Sequence, residues 1–233
     1  MKIAAVCLAA GQGKRMESKV QKQYLLIGDK PVLYYALKTF QDSPVEEVVL
    51  VVGAGEEDYC KKEIVDYYGF TKVKAVVAGG KERYHSVFHG LQAVADADYV
   101  LIHDGARPFL TQDIIARCID GAKEYKACVA GMPVKDTIKL ADNEQNIEST
   151  PERSRIWMIQ TPQAFEYPLI KEAYTILIEQ EERGIKTSIP ITDDAMVVEH
   201  FLNQKVHLVH GSYENIKITT PEDMRIAEVF VKK

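Results

Sequence analysis

Five short stretches of the chain are apolar at nearly every position: Ile3 to Ala9, Glu47 to Gly53, Val73 to Gly79, Tyr99 to His103 and Ala127 to Val134. A strand with one face in water alternates apolar and polar residues, so unbroken apolar runs require strands covered on both faces. The segments between them carry helical spacing. Pro31 stands where a helix can begin, and Leu33, Ala36, Leu37 and Phe40 then fall on one face; Val87, Leu91 and Val94 repeat the pattern after Ser86. Strand and helix in alternation imply right-handed crossovers, hence a mostly parallel, Rossmann-like sheet inside a three-layer α/β sandwich. Ligands of such sheets bind beyond the carboxyl ends of the strands. With 233 residues, 46% of them hydrophobic, a single domain spanning 1–233 can bury its core without disulfide or metal staples.

The pattern breaks after Val134. Residues 135–157 are polar, with two short β-prone pieces around an "ADNEQN" turn, which predicts a β-hairpin arm protruding from the sheet. An isolated hairpin is marginal in water, so the arm packs either on a second subunit or back on its own domain. Helical periodicity resumes over Tyr167 to Arg183 and Asp194 to Leu202. Near the end Thr220 can cap a last helix, with Pro221 at its first position.

Charge and cysteine usage narrow the function classes. A net charge of −5 argues against a nucleic-acid coat protein, so any anionic substrate must meet a local basic cluster. Cys7, Cys60, Cys118 and Cys128 show no CxxC spacing and read as free thiols. Met1 to Ala10 is short, has Lys2 as its only basic residue and is followed by a glycine turn, which suits a buried first strand better than a targeting segment. No run approaches the ~20 apolar residues of a membrane span. The expected compartment is the cytoplasm.

The first apolar run ends in "LAAGQGKRM", where Gly11 and Gly13 leave backbone N–H groups open to a phosphate. A Walker A loop needs four residues between its first glycine and the Gly-Lys pair, whereas one separates Gly11 from Gly13. A dinucleotide fingerprint needs a small residue where Met16 stands and an acid where Gly53 stands. The glycines alone fit a plain strand-to-helix turn with solvated basic residues better than a phosphate site. Arg15 and Lys22, on either side of the loop that follows, favour the phosphate.

This opening, ending in Arg-Met and followed by Lys-Gln, resembles the nucleotidyltransferases that join a nucleoside triphosphate to a sugar or polyol phosphate. Later motifs, in order, are "HDGARPF" from His103, "VKDTIK" from Val134, "ERSRIWMIQTPQAF" from Glu152, "TDDA" from Thr192 and "NIKITTPEDM" from Asn215. Together they resemble the 2-C-methyl-D-erythritol 4-phosphate cytidylyltransferase family from Ile3 to the last helix. The related polyol-5-phosphate cytidylyltransferases, including those for ribitol 5-phosphate, tend to carry Ala-Gly-Gly and Asp-Ser-Val-Arg-Pro where this chain has "AAG" and "DGARP". The resemblance implies transfer of CMP from CTP to methylerythritol phosphate with release of pyrophosphate. It also implies Mg²⁺ or another divalent cation, and a homodimer formed through the arm.

The implied roles follow residue by residue. Arg15 and Lys22 match the pair that stabilises the triphosphate in the transition state, and Arg153 and Lys217 match the residues that position the methylerythritol phosphate. Arg107, Thr137, Thr161 and Thr192 stand where the family lines that pocket. Ala9, Ala10, Gly11, Gly80 and Ser86 stand where cytosine and ribose are held, with Gly13 and Gly105 beside the nucleotide. Asp104 matches the acid near the ribose and the metal-bound phosphates. Lys81 departs from the family, where an Asp near the base is common.

The chemistry suits these residue types. A phosphomonoester has a second pKa of about 6 and attacks without a general base. The obstacle is two anions approaching each other, which fixed Arg and Lys side chains oppose best in a water-poor cleft. His85 and His89, four apart on a helix, lack an evident third ligand and read as surface or packing residues. Asp193 and Asp194 fit either a metal or the acidic first turn of a helix.

Overall fold

A computed structural model describes residues 1–11, 13, 16, 20–185, 187 and 189–232. Strand β1 (Ile3–Ala9) is followed by a 3₁₀ turn, Lys22–Tyr24, the two-residue strands β2 (Leu26–Ile27) and β3 (Lys30–Pro31), and helix α1 (Val32–Gln41). Next come β4 (Glu47–Val52), α2 (Glu57–Cys60) continued as a π-helical stretch over Lys61–Asp66, β5 (Val73–Ala78) and α3 (Arg83–Ala93). β6 (Tyr99–Asp104), α4 (Gln112–Tyr125) and β7 (Ala127–Pro133) precede the excursion that contains β8 (Leu140–Ala141) and β9 (Ile147–Ser149). The chain closes with β10 (Trp157–Glu166), α5 (Tyr167–Glu182), α6 (Asp194–Leu202), β11 (His207–His210) and α7 (Pro221–Val231).

Seven strands form the central sheet in the order β11-β7-β10-β6-β1-β4-β5, and β10 alone among them runs antiparallel to its neighbours. The apolar runs explain the layers. Along β1, Ile3, Ala5, Cys7 and Ala9 pack with Leu33, Leu37 and Phe40 of α1 and Ile114, Ile115 and Cys118 of α4. The intervening Ala4 and Val6 pack with Val87 and Leu91 of α3, Ile170 and Tyr174 of α5 and Val197 of α6. Successive side chains thus enter different helix layers, as the period of two requires. β1 lies between β4 and β6, so the chain winds outward in opposite directions from it, and the crevice at its carboxyl end is the topological switch point.

β10 is the strand that apolar patterning misses. Gln160, Thr161, Pro162 and Gln163 interrupt it, and proline inside a run ordinarily argues against a central strand. Here its pairing with β7 shifts register between Ile159 and Gln163, which accommodates the proline, and the buried polar side chains all find partners. The Gln160 amide donates to the Ser212 carbonyl at 2.7 Å, and Gln163 Oε1 accepts from the backbone of Asp194 and Ala195 at 3.0 and 2.9 Å. Polar residues inside the sheet therefore pin the loops that border the crevice.

The arm is a hairpin extension of β7 and β10. Val134 N–H donates to the Ile156 carbonyl at 3.0 Å at its base, and β8 pairs antiparallel with β9. Asp142 Oδ1 closes its turn by accepting from the backbone of Glu144 and Asn146, both at 2.9 Å. Leu140 and Ile147 are 51% and 65% exposed, so the arm carries uncovered apolar surface.

Candidate active site

The switch point opens into a cavity of about 540 Å³. Its walls are the loop after β1 (Ala9, Ala10, Gly11, Gly13), Lys22 and Gln23 of the 3₁₀ turn, the β5–α3 connection (Gly80, Lys81, Glu82, Arg83, Ser86), Asp104 and Ala106 at the end of β6, and Lys217. Local chemistry shapes each wall. Gly13 has φ +63°, a conformation other residues rarely adopt, and lies against the stem of Lys22. A Cβ at Gly79 would stand 2.4 Å from Ala10 Cβ, so only glycine lets the β1 and β5 loops approach this closely. Buried Gln23 donates to the Ala9 carbonyl at 2.6 Å and ties the 3₁₀ turn to the end of β1. Gly80 N–H donates to Ser86 Oγ at 3.0 Å, which folds that loop onto the start of α3.

One carboxylate organises the cations. Asp104 lies 2.7 Å from Lys217 Nζ, 3.6 Å from Arg83 Nε and 3.9 Å from Arg107 Nε. Burial disfavours its charge, but the fields of Lys217, Arg83 and Arg107 outweigh that cost and hold its carboxyl well below the usual carboxylate range. Arg83 is also gripped from behind, with both terminal nitrogens 2.8 Å from the fully buried carboxylate of Asp194, which in turn accepts from the Tyr174 hydroxyl at 2.5 Å. Arg107 turns its guanidinium to the Asn215 carbonyl at 2.7 Å, and Ile218 N–H donates to the Ala106 carbonyl at 2.8 Å. These bonds hold the segment carrying Lys217 against the end of β6.

Behind Asp104 runs a relay whose proton positions follow from its acceptors. Asp104 N–H donates to Thr161 Oγ1 at 3.0 Å, and His103 Nε2 lies 3.2 Å from the Arg107 carbonyl, which can only accept. The histidine proton therefore sits on Nε2, and Nδ1 accepts from the Thr161 hydroxyl at 3.1 Å. Burial pushes the His103 imidazole down from 6.5 to about 4, so the ring is neutral, as this arrangement requires.

Of the residues singled out from sequence, Ala9, Ala10, Gly11, Gly13, Lys22, Gly80, Ser86, Asp104 and Lys217 line the cavity. Gly105, Arg107 and Thr161 lie immediately behind it, engaged with α1, Asn215 and the Asp104 backbone. Thr192 is exposed, its hydroxyl 3.0 Å from Met196 Sδ. Thr137 and Arg153 are exposed on the arm, where Arg153 donates to the Lys135 carbonyl at 3.2 Å. Arg15 lies outside the described residues. Lys81, noted in the sequence as a departure, lines the wall. Gln23, Glu82 and Arg83 line it without having been singled out; Arg83's partner Asp194 lies 111 residues away, a pairing only the fold reveals.

The ambiguous residues are also placed. Asp193 caps α6 by accepting from Met196 N–H at 3.0 Å, while Asp194 serves Arg83. His85 accepts from Glu82 N–H and faces Glu181 at 3.0 Å, and His89 Nδ1 lies 2.9 Å from the Ala78 carbonyl. Among the described residues no group of three His, Cys, Asp or Glu side chains could hold a metal by itself. Among the described residues Glu82 and Asp104 are the carboxylates that line the crevice, and Asp104, at the end of β6 beside Lys217, is the one whose place fits Mg²⁺, an ion held through one or two carboxylates plus substrate phosphates.

A doubly wound sheet with a glycine-walled, cation-lined crevice at its switch point marks an α/β protein built to hold a phosphorylated ligand there. The sequence model of the 2-C-methyl-D-erythritol 4-phosphate cytidylyltransferase family matches residues 3–233. Proteins of that name from Lachnoclostridium phytofermentans and Alkaliphilus oremlandii are 50% and 47% identical, over 100% and 99% of this chain and 97% and 95% of theirs. The crystal structure of a 4-diphosphocytidyl-2C-methyl-D-erythritol synthase from Anaerococcus prevotii superposes with TM-score 0.84 at 33% identity, covering 100% of this chain and 96% of that one. A 2-C-methyl-D-erythritol 4-phosphate cytidylyltransferase from Thermus thermophilus gives TM-score 0.77 at 30% identity, covering 98% of each chain. The chain belongs to the 2-C-methyl-D-erythritol 4-phosphate cytidylyltransferase family.

The neutral His103 makes stability depend on pH. Between its folded value of about 4 and its unfolded value of 6.5, the unfolded chain binds a proton that the folded chain does not. Stability should therefore fall as pH drops through that window, by at most on the order of 3 kcal/mol from this group. The contribution of Asp104 is lost only at lower pH. Urea denaturation at pH 7 and pH 4.5 should show a smaller pH-dependent loss in His103→Asn than in the wild type. Equal losses would place a charged imidazole in the native core.

Proposed function

We propose the following division of labour for the transfer of CMP from CTP to 2-C-methyl-D-erythritol 4-phosphate, which yields 4-diphosphocytidyl-2-C-methyl-D-erythritol and pyrophosphate. The observation that carries it is the convergence of Lys22, Arg83, Lys217 and Asp104 on one crevice walled by the Ala9–Gly13 loop. Cytosine and ribose lie against Ala9, Ala10, Gly11, Gly80 and Ser86, and the triphosphate lies along Gly13. Lys22, with Arg15, stabilises the charge that gathers on the departing pyrophosphate. Lys217 holds the phosphate of the second substrate beside the α-phosphorus, so that its ionised oxygen attacks in line. The buried, neutral His103 has both nitrogens engaged, and the reaction needs no base from it. Gly105, Arg107 and Thr161 frame the site from behind. Thr192 adds to the polyol pocket.

Asp104 would hold Mg²⁺ directly or through water. The ion, when bound, neutralises charge on the triphosphate.

Arg153 and Thr137 act from the arm of a neighbouring subunit in a homodimer. Their exposure outside the cavity and the uncovered Leu140 and Ile147 support this reading. Residues 1–233 work as one catalytic domain, since a single sheet takes strands from Ile3–Ala9 through His207–His210. Four buried free cysteines suit the cytoplasm, and among the described residues no helix is long and apolar enough to cross a membrane.

Incubation with CTP, Mg²⁺ and methylerythritol phosphate should release pyrophosphate, with ribitol 5-phosphate giving far less; preference for ribitol 5-phosphate would move the chain to the sister activity. Subunit exchange tests the arm. Lys22→Ala and Arg153→Ala, each impaired alone, should regain activity when mixed and allowed to exchange subunits. No recovery in a verified heterodimer would return Arg153 to its own protomer's site.

A further inference from the structure

We infer that Glu56 is a positioning residue for Lys22. The inference rests on the catalytic reading of Lys22 given above. Lys22 begins a single 3₁₀ turn, a conformation with poor intrinsic hydrogen-bond geometry that persists only where its surroundings hold it. Three side chains beside it do so. Gln23 reaches inward to the Ala9 carbonyl at 2.6 Å. Gln21 and Tyr24 reach the other way, and both donate to the carboxylate of Glu56: the Gln21 amide to Oε1 and the Tyr24 hydroxyl to Oε2 at 2.9 Å. The Gln21 side-chain oxygen Oε1 also accepts from the Gln23 amide, which joins the two anchors into one net around Lys22.

Glu56 is itself fixed to the sheet. Its Oε2 accepts from Gly53 N–H at 3.2 Å, and its backbone N–H donates to the Gly53 carbonyl at 2.9 Å. Gly53 is the residue that stood where a dinucleotide site would need an acid. A Cβ there would lie 2.7 Å from Glu56 Oε2, so the glycine makes room for the carboxylate. An ionised carboxylate only accepts, which suits one partner set made wholly of donors. Burial, the Cys60 thiol and Glu56 all push the Tyr24 phenol upward, which keeps it a donor. The carboxyl end of β4 thereby sets where the Lys22 ammonium stands relative to the cavity.

Glu56→Gln keeps the shape but replaces an accepting oxygen with an NH₂ group, and Tyr24→Phe removes one donor with little change in packing. A small misplacement of a charge that acts in the transition state lowers kcat more than it weakens substrate binding. Glu56→Gln should lower kcat about tenfold with a much smaller change in KM for CTP, and Tyr24→Phe should do the same to a lesser degree. In a Lys22→Ala background both substitutions should have no further effect on kcat, because they act through the same ammonium. A full multiplicative loss in the double variants, or wild-type kcat in both single variants, would overturn the inference and leave the role of Lys22 standing. Wild-type kcat in Lys22→Ala would overturn both.

Discussion

A buried carboxylate surrounded by three cations is the constraint on which the crevice depends. Asp104 ends β6 with almost no exposure, and ionising it there is unfavourable unless charges of opposite sign and donors compensate. Lys217, Arg83 and Arg107 supply them from three separate parts of the chain. The compensation works in both directions. The cations keep Asp104 ionised, and Asp104 keeps like charges close together before any phosphate arrives. Removing one partner would leave the others uncompensated, so the geometry is held as a unit.

That unit extends outward through buried polar groups that act as spacers between elements. Arg83 reaches Asp194 at the start of α6, and Gln163 of β10 accepts from the same helix terminus. Thr161 and His103 hold the backbone of Asp104, while Gln160 and Asn215 hold the segment that carries Lys217. A strand of aliphatic residues in place of β10 would pack as well yet offer the loops no fixed partners. The one antiparallel strand in the sheet is thus the one that carries site-positioning chemistry.

Much of the architecture was legible because buried parallel strands leave a plain mark. The run Ile3 to Ala9 became β1 with the expected ends, α6 begins and ends at the expected Asp194 and Leu202, and Thr220 and Pro221 begin α7 as read. β10 was not legible, since Gln160, Thr161 and Gln163 look like loop residues until their buried partners are known. The glycine loop, Lys22, Asp104 and Lys217 were found because each lies in a local motif. Arg83 and Glu56 were not, because their meaning resides in contacts with Asp194 and with Gln21 and Tyr24, set by tertiary proximity rather than spacing. Arg153 and Thr137 carry their motif yet do not line the cavity, because they stand on the arm, which a local motif does not place relative to the crevice.

In the proposed site four segments distant in sequence close around one nucleotide at the switch point. Amide hydrogen exchange of the full chain with and without CTP and Mg²⁺ tests it directly. The account predicts CTP-dependent protection concentrated in residues 9–13, 22–23, 79–86 and 104–106. Protection centred elsewhere, with these four segments unchanged, would contradict it.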